Sequence, residues 1–571
     1  MTQSAAEPYV PDNLDATTWD ALGPLYQGLL ERPVDSLADF ETWLLDRSEL
    51  DAAAGEARAN LYIRMTCHTD DDGATNAWTA YLDEVPPKLK PLSAELDKRH
   101  VQLVEQAGAE NERYAVLNRQ KKNEYELFRE ANVPLETQLA KLDQKYDQIC
   151  GSMLVEFEGE ERTLPQMTRY MQVEDRATRE AAWRGVASRR LAERDAVDAI
   201  LDEMVQLRHQ CAVNAGFKNF RDYQHLRMGR FDYQPEDCAR FHEAIEQHAV
   251  PFMRTLDARR AERLGVSPLR PWDLDVDEKG RAPLRPFQDG QDLIERSRTV
   301  FQRLDGQLAG FFQSMGDNMS DCFDLDSRKG KASGGYQYMR DKSRSPFIFM
   351  NAAGVHRDVE TMVHEAGHAF HSFLCVEEPI VDYRHSDIEF AEVASMTMEL
   401  LTMPYWDAYY PDAADADRAR RKQLEGSISI LPWIATIDAF QHWMYTNPEH
   451  SRDDRRTFWN GLMDRFGHDV SWDGLEEERA TAWQRQGHLF GHAFYYIEYG
   501  IAQLGALGIW RRSLKEGPAA ALGAYKEALS LGGSRPLPTL FETAGVPFDF
   551  GADAVGRLVD AVEQELASLP D

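Results

Sequence analysis

Residues 358–371 read DVETMVHEAGHAFH, and within them His364, Glu365 and His368 form the pattern HExxH. The apolar residues of this stretch recur at helical spacing and Asp358 can cap the first turn, so we predict a helix. Two histidines four residues apart lie on one helix face, where both imidazoles can reach a single Zn²⁺ ion. Glu365 then lies beside the metal and can take a proton from water, whose pKa zinc lowers to about 7. The stretch therefore predicts a helix that binds zinc and carries a general base.

The sequence around the motif supports the metal interpretation. Residues 335–340 (GYQYMR) and 346–351 (PFIFMN) flank a polar turn at 341–345, which predicts a pair of β-strands just before the helix. Gly367 lies inside the predicted helix, where glycine costs about 1 kcal/mol relative to alanine. Such a glycine is easier to explain if another part of the chain must approach the helix closely there.

A catalytic zinc site needs three protein ligands and one open position, and the sequence offers several candidates for the third ligand. The metzincin extension is excluded because His371 and Leu374 stand where that class has glycine and histidine. His371 shares the face of the motif histidines, but a helix rise of about 4.5 Å beyond His368 is too long for one tetrahedral ion. The next predicted helix carries three acidic residues on one face among apolar neighbours: Glu389, Glu392 and Glu399. A solvated acidic stripe is the alternative interpretation, and composition alone does not choose among the three.

The remaining sequence predicts a mainly α protein with a small β-sheet. Apolar residues recur at helical spacing from residue 18 to about 130, and helical periodicity returns in the later stretches. Pro86, Pro87 and Pro91 predict a turn between long helices in the first stretch. Residues 152–164 predict a β-hairpin, after which we place a lobe boundary near residue 165. We therefore expect two lobes, an N-terminal helical lobe at 1–165 and a second region at 166–571.

Composition excludes several classes of protein. The chain has 571 residues, of which 43% are hydrophobic, and this content excludes a disordered chain. Lys and Arg total 64 against 96 Asp and Glu, so the formal net charge is −32. A charge of this sign disfavours nucleic acid and anionic lipid as partners. It either confers solubility alone or also steers cationic substrates towards an acidic cleft.

Three features predict a cytoplasmic protein. No run of about 18 apolar residues is present, so we expect no membrane span. Residues 1–20 lack a basic start followed by an apolar stretch, so we expect no signal peptide. The six cysteines are scattered without a CxxC pair, which is typical of free thiols in a reducing cytosol: Cys67, Cys150, Cys211, Cys238, Cys322 and Cys375.

The motif region resembles a known family. HEAGHAFHSF at 364–373, followed by FAEVASMTMEL at 390–400, is similar to the M3 family of zinc oligopeptidases, which includes thimet oligopeptidase and oligoendopeptidase F. That resemblance implies that His364, His368 and Glu392 bind one zinc ion and that Glu365 is the catalytic base. It also implies that Glu399 orients a ligand imidazole from the second shell, where we place Asp358 as well.

Two further segments extend the resemblance. Gly335, Tyr336 and Asn351 belong to a strand pair similar to the one beside the family's metal, where a peptide substrate can add as another strand. Residues 488–503, HLFGHAFYYIEYGIAQ, resemble the family's segment of histidine and tyrosines, with Ala493 where relatives often have proline. The resemblance implies that these side chains grip the substrate and stabilise the tetrahedral oxyanion: His488, Tyr496 and Tyr499, with Tyr495 as a further substrate contact. An ordinary aromatic core helix is the alternative interpretation of this segment.

These observations predict a two-lobed, mainly α zinc metallopeptidase with a small β-sheet near the active site and a deep substrate channel. The resemblance covers residues 166–560, and the first 165 residues match oligoendopeptidase F-like members by pattern only. We expect an endopeptidase that hydrolyses short unstructured peptides with metal-activated water. The alternative is a carboxypeptidase or dipeptidyl carboxypeptidase on a related helical fold. A zinc-bound peptide scaffold without turnover and a generic helical interaction protein are the rivals from other classes.

Overall fold

The computed structural model describes residues 8–317, 319–328, 330–332 and 334–570. These residues form two compact units, each built from three separate stretches of chain. The first unit contains the chain up to residue 128, together with 285–420 and 505–548, and the second contains 129–284, 421–504 and the chain from 549 onward. The first seven residues, on which the expectation about a signal peptide partly rests, lie outside the described residues.

The chain does not pass between the units at residue 165, where the sequence predicts a lobe boundary. The hairpin before that position packs on the helix after it, and a Cβ atom on Gly185 of this helix would lie 3.0 Å from the Val155 side chain. Residues on both sides of 165 therefore belong to the second unit. A separate N-terminal lobe at 1–165 stays a prediction.

Helices dominate both units, as predicted. In chain order they are α1 (Trp19–Glu31), α2 (Leu37–Cys67), α3 (Asp72–Ala107), α4 (Ala115–Leu127), α5 (Val133–Gly151), α6 (Leu164–Met167), α7 (Arg176–Ala192), α8 (Arg194–Asn214), α9 (Phe220–Arg227), α10 (Pro235–Leu264), α11 (Gly290–Leu304), α12 (Gly306–Asp317), α13 (Met319–Cys322), α14 (His356–Leu374), α15 (Ile388–Leu401), α16 (Ala413–Thr446), α17 (Arg452–Phe466), α18 (Glu476–Ala480), α19 (His488–Gly491), α20 (Tyr496–Glu516), α21 (Pro518–Ser530), α22 (Leu537–Thr543) and α23 (Ala552–Ser568). Short 3₁₀ helices occupy Glu130–Asn132, Thr168–Gln172, Pro271–Asp273, Val381–Arg384, Met403–Ala408 and Ala482–Arg485.

A turn predicted from three prolines is replaced by continuous helix in the structure. Pro86, Pro87 and Pro91 lie inside the continuous helix α3 and do not end it, so the turn predicted there is wrong. A proline in a helix interior costs about 3 kcal/mol, because it removes a backbone hydrogen bond and its ring clashes with the preceding turn. The apolar face of α3 is buried on both sides of the prolines, and each large apolar side chain contributes about 1.5–3 kcal/mol. This burial outweighs the local preference, and it involves Tyr81, Val85, Leu96, Leu103 and Val104.

The β-structure is small and mostly as predicted. Strands β1 (Leu154–Phe157) and β2 (Glu160–Thr163) form the antiparallel hairpin, with Glu158 and Gly159 at positive φ in its turn. A second sheet contains β3 (Phe323–Asp326), β4 (Tyr336–Arg340) and β5 (Ser345–Ala352) in the order β3-β5-β4. The antiparallel pair β4–β5 is the predicted one, whereas β3 pairs parallel to β5 and was not predicted from its four residues. Strands β4 and β5 of this sheet pack against helix α14.

The described residues contain no helix that combines the length and the apolar character required to cross a bilayer. All six cysteines are free, in agreement with the prediction of unpaired thiols. The first unit has a large apolar core in its N-terminal stretch, built around Trp43, Phe40 and Leu96.

Candidate active site

Helix α14 carries the HExxH motif and is fixed at both its start and its apolar face. Asp358 is the third residue of the helix, after the N-cap Val355, and its carboxylate accepts hydrogen bonds from the backbone amides of Ala353 and Val355, each at 2.9 Å. These bonds hold the loop between β5 and the motif helix. One side of the helix is buried against the sheet and neighbouring helices, and it includes Val359, Met362, Val363, Ala366 and Phe370.

Gly367 lets α15 approach α14 closely, as its position in the motif predicts. A Cβ atom on Gly367 would lie 2.6 Å from the Ser395 Cα and 2.7 Å from the Ala394 carbonyl oxygen. Both are backbone atoms of α15 and cannot move aside without moving the helix. The same Ala394 carbonyl accepts a hydrogen bond of 2.8 Å from the buried Tyr525 hydroxyl. The spacing between the two helices is therefore set by backbone contact.

The two helices bring three donor side chains together. His364 Nε2 lies 3.4 Å and His368 Nε2 3.7 Å from the same oxygen, Oε2 of Glu392. Among the described residues these three form one of two groups whose ligand atoms all lie within 4.8 Å of one another. Ligands held at about 2.0–2.2 Å by a tetrahedral zinc ion are separated by about 3.3–3.6 Å. The donor types and their spacing therefore fit a zinc ion.

The predicted partner of a ligand imidazole is present. His364 Nδ1 donates a 2.7 Å hydrogen bond to Oε1 of Glu399, which leaves Nε2 directed to the donor cluster. Ser395, which the sequence analysis missed, donates at 3.0 Å to Oε2 of Glu392 and at 2.9 Å to its backbone carbonyl. Its position three residues after Glu392, on the same face of α15, is the sequence signal for this contact.

The electrostatics of the cluster favour a bound cation. Burial would lower the pKa of His364, but the Glu392 and Glu399 carboxylates hydrogen-bonded to it raise that pKa well above its ordinary value. Burial lowers the pKa of His368 to about 4, which keeps its imidazole neutral and able to donate a lone pair. Burial opposes ionisation of Glu392, yet His364 and His368 hold its pKa at about 2. The two carboxylates thus make this position attract positive charge.

Glu365 lies beside the cluster in the environment of a general base. Its side chain is buried, and burial raises its pKa to about 7, with Glu392 adding to the shift. Oε2 of Glu365 has no hydrogen-bond partner among the described residues. A Cβ atom on Gly335 would lie 3.9 Å from Oε1 of Glu365, so the backbone just before β4 passes close to this carboxylate. A carboxyl group that titrates near neutral pH can both accept and release a proton there.

His371 is not part of the donor cluster, in line with the sequence argument against it. The side chain is buried, and no group in the described part of the chain forms a hydrogen bond with its Nε2 atom. Burial lowers the pKa of His371 to about 3, and the nearby His368 and His385 lower it further. Glu389 is also buried but does not belong to the cluster, so the structure favours Glu392 among the three acidic candidates of α15.

The strand residues predicted to bind substrate are already engaged with their own neighbours. The Tyr336 hydroxyl lies 2.6 Å from Oγ1 of Thr66, and its ring stacks on Phe349 at a centroid distance of 4.8 Å. Asn351 donates to the carbonyls of Ala332 and Gly334 at 2.8 and 2.9 Å, so it supports the loop before β4. Strand β4 itself lies at the edge of the sheet, paired with β5 on one side.

The predicted C-terminal residues form an aromatic cluster within the second unit. The His488 ring lies 5.0 Å from Tyr496, 5.8 Å from Tyr495 and 5.9 Å from Tyr499, measured between centroids. Tyr495 and Tyr499 lie 5.3 Å apart. Gln486 Nε2 donates to Nδ1 of His488 at 2.7 Å, so a neutral imidazole carries its proton on Nε2. Gln486 was missed from the sequence, although it stands two residues before His488.

A second group of metal-donor side chains lies in the second unit. It comprises Cys238, Asp438 and His442. Oδ2 of Asp438 lies 2.8 Å from Nε2 of His242 and 3.3 Å from Nε2 of His442. A histidine–aspartate hydrogen-bond network accounts for these contacts without an ion.

Comparisons with known proteins agree with the resemblance. The model of peptidase family M3 matches residues 169–554. The chain is 25% identical over 225 residues to oligopeptidase PepF of Bacillus subtilis, covering 39% of this chain and 33% of that protein. It is 28% identical over 219 residues to an oligoendopeptidase F homologue of Borreliella burgdorferi, covering 37% of this chain and 36% of that protein. These alignments span about one third of the length of the curated relatives.

A solved structure of PZ peptidase A with an inhibitor resembles the whole chain. It superimposes with a TM-score of 0.91 at 29% sequence identity, covering 98% of this chain and 99% of that one. The likeness therefore extends beyond the stretches aligned by sequence and includes the N-terminal helices.

Proposed function

This chain belongs to peptidase family M3, and on that premise we propose that it is a zinc-dependent endopeptidase that cleaves short unstructured peptides. The observation that carries the proposal is the donor cluster of His364, His368 and Glu392 with the buried Glu365 carboxylate beside it, whose Oε2 atom accepts no hydrogen bond from the described residues. In this proposal the three donors hold one zinc ion per chain, and Glu399 orients His364.

Glu365 is the proposed general base. Zinc bound by these donors would supply Lewis-acid polarisation of the peptide carbonyl and a lowered pKa for water. Glu365 takes a proton from the attacking water on its free Oε2 atom and then delivers it to the leaving amine. Its pKa of about 7 supports both steps near neutral pH, because neither protonation state is strongly disfavoured.

His488, Tyr496 and Tyr499 are the proposed substrate-binding and oxyanion-stabilising residues, with Tyr495 as a further contact. What supports this assignment is their mutual clustering and the donor on His488 Nε2 that the Gln486 contact implies. The O–H group of a phenol and the N–H group of an imidazole stabilise a developing oxyanion when they are held in place before the reaction.

The edge of β4 that pairs with no strand in the described part of the chain is the proposed docking site for the peptide backbone. An extended peptide can pair with an exposed sheet edge through main-chain hydrogen bonds. Gly335, just before this strand, brings the backbone close to Glu365, and Tyr336 and Asn351 fix the strand and its preceding loop.

Mass spectrometry of a defined peptide mixture, digested with and without a zinc chelator, tests the proposed activity. We expect internal cleavage that the chelator abolishes and that added zinc restores. A matched peptide with a blocked C-terminus separates the two peptidase classes, since an endopeptidase still cleaves it and a carboxypeptidase does not. No chelator-sensitive cleavage of any peptide would exclude the proposed function.

Metal analysis of the purified chain tests the proposed stoichiometry of one zinc. A second ion would point to Cys238, Asp438 and His442, and replacing Cys238 by Ser is the control that separates the two groups. We expect this variant to retain the full zinc content and the His364→Ala variant to lose it.

Substrate size and charge provide a further test of the proposal. We expect a ten-residue unstructured peptide to be cleaved and casein to resist cleavage, and similar rates on both would contradict the size limit. The net charge of −32 favours cationic peptides, so the rate on an Arg-rich peptide should fall as salt rises. The six free cysteines support a location in the cytoplasm as part of the same proposal.

A further inference from the structure

Phe494 has a backbone conformation that is unfavourable for its residue type. It lies between His488 and the tyrosines Tyr495, Tyr496 and Tyr499, at φ +67°. Left-handed backbone is costly for any residue with a Cβ atom and is rare for a bulky side chain. Because this conformation bends the chain locally, it determines how His488 is placed relative to the three tyrosines that follow.

Buried side chains from a distant helix and a distant loop satisfy the backbone of this residue. Phe494 N donates a 2.7 Å hydrogen bond to Oε1 of Gln441 on α16. Its carbonyl oxygen accepts a 2.6 Å hydrogen bond from Nη2 of Arg230, just after α9. Gln441 is 0% and Arg230 2% exposed, so water cannot replace either partner. An unmade hydrogen bond at such a buried site is costly, and these two contacts therefore select the left-handed conformation.

Glu498 fixes the arginine. Nη2 of Arg230 also lies 2.8 Å from Oε1 of Glu498, and both side chains are 2% exposed. Glu498 belongs to the first turn of α20, between Tyr496 and Tyr499. Buried ion pairs are poor evidence for stability, because the cost of removing both charges from water offsets their attraction. Their best-attested use is to specify one arrangement among several.

The Phe494 ring is held as well. It packs against His442 at 5.4 Å and an interplanar angle of 85°, and against Tyr445 at 5.4 Å. Arg208 donates to the Leu489 carbonyl at 2.8 Å and also to the Phe490 carbonyl, which anchors the chain on the side of His488. Each part of the segment thus contacts a buried polar or aromatic side chain outside it.

We propose that Arg230, Gln441 and Glu498 are positioning residues that hold Phe494 in its left-handed conformation and thereby align His488 with Tyr495, Tyr496 and Tyr499. This set is called the Phe494 clamp. Its effect on catalysis rests on the proposed function, whereas its effect on the segment does not.

The test replaces the ion pair without leaving a buried charge unpaired. Arg230→Leu combined with Glu498→Leu removes both charges. Gln441→Met is a second variant, which removes the acceptor for Phe494 N–H and also the 3.4 Å hydrogen bond from Gln441 Nε2 to the Ile437 carbonyl. The control is Arg47→Leu with Asp97→Leu, which removes a buried ion pair of 2.6 Å in the other unit together with the 3.5 Å contact between Arg47 and Asp51. Hydrogen exchange of residues 488–499, zinc content, melting temperature, kcat and KM are measured for each variant.

We expect both clamp variants to keep their zinc and to exchange the amides of 492–497 at least tenfold faster than the wild type. We also expect kcat on a short peptide to fall 10- to 100-fold, while the control variant changes only the melting temperature. Unchanged exchange in 488–499 would overturn the clamp, as would a kcat loss no larger than that of the control. Because exchange needs no turnover, an inactive wild type would contradict the proposed function and leave the clamp to be decided by exchange alone.

Discussion

The donor cluster on α14 and α15 and the aromatic segment His488–Tyr499 place polar side chains by different means. In the cluster, His364 and His368 stand one turn apart on a regular helix, and Glu392 comes from a second helix in backbone contact with the first. In the segment, a left-handed residue interrupts the chain, and buried side chains from α16 and the end of α9 satisfy its backbone.

This difference explains why the geometry of the donor cluster can be predicted from the sequence and that of the aromatic segment cannot. A helix converts spacing along the chain directly into spacing on a face, so four residues are enough to predict that two imidazoles meet. An irregular segment has no such conversion, because its conformation depends on partners far along the chain.

The largest expected effect is on the cluster itself. Glu392→Ala should lower zinc affinity by more than about 100-fold, beyond the 10- to 100-fold typical of supporting residues, and abolish turnover. His371→Ala is the matched control on the motif helix and should keep the metal. Atomic absorption of both dialysed variants provides the measurement, and the reverse pattern would move the third ligand to His371.

Removal of the base should separate metal binding from turnover. Glu365→Gln keeps all three donors, so we expect normal zinc content with kcat lower by about 10²- to 10⁴-fold. The amide cannot accept the proton that the carboxylate takes on Oε2. Near-normal kcat at equal zinc content would remove Glu365 from the proposed role.

Substitution of Glu399, which orients the imidazole of His364, should have an intermediate effect. Glu399→Gln retains a hydrogen-bond acceptor for His364 Nδ1 but loses the negative charge, so we expect a loss of about 10- to 100-fold in metal affinity or activity. Zinc titration with a competing chelator measures this loss. An unchanged affinity would mean that the 2.7 Å contact serves packing only.

The smallest expected effect is a change in the free energy of unfolding, measured for alanine substitutions of two glycines. Gly367→Ala should destabilise the first unit by about 1–3 kcal/mol, because the new methyl group meets the backbone of α15. Gly426→Ala, inside α16 with nothing within 4 Å of its Cβ position, should stabilise by up to about 1 kcal/mol. Chemical denaturation of both variants measures the difference, and equal effects would show that the close approach at Gly367 is tolerated.

Much of the fold and of the donor cluster could be predicted from local patterns. The β4–β5 pair, the hairpin β1–β2 and the motif helix follow from alternation, turn residues and helical spacing. The prediction of a turn at Pro86, Pro87 and Pro91 was wrong because burial of apolar side chains along α3 outweighs the local cost of proline. Strand β3 was missed because its four residues pair in parallel with a distant strand, and nothing in the strand itself encodes that partner.

The sequence by itself determined the chemistry of the motif helix: which residues can donate to a metal, which can act as a base, and that a glycine among them needs a close neighbour. Only the tertiary structure decided which of the three acidic residues of α15 lies close to His364 and His368, and that Arg230 and Gln441 contact the backbone of Phe494. The physical reason is that helical spacing is a property of consecutive residues. The choice of partner between elements depends instead on burial and on the need to satisfy every buried polar group.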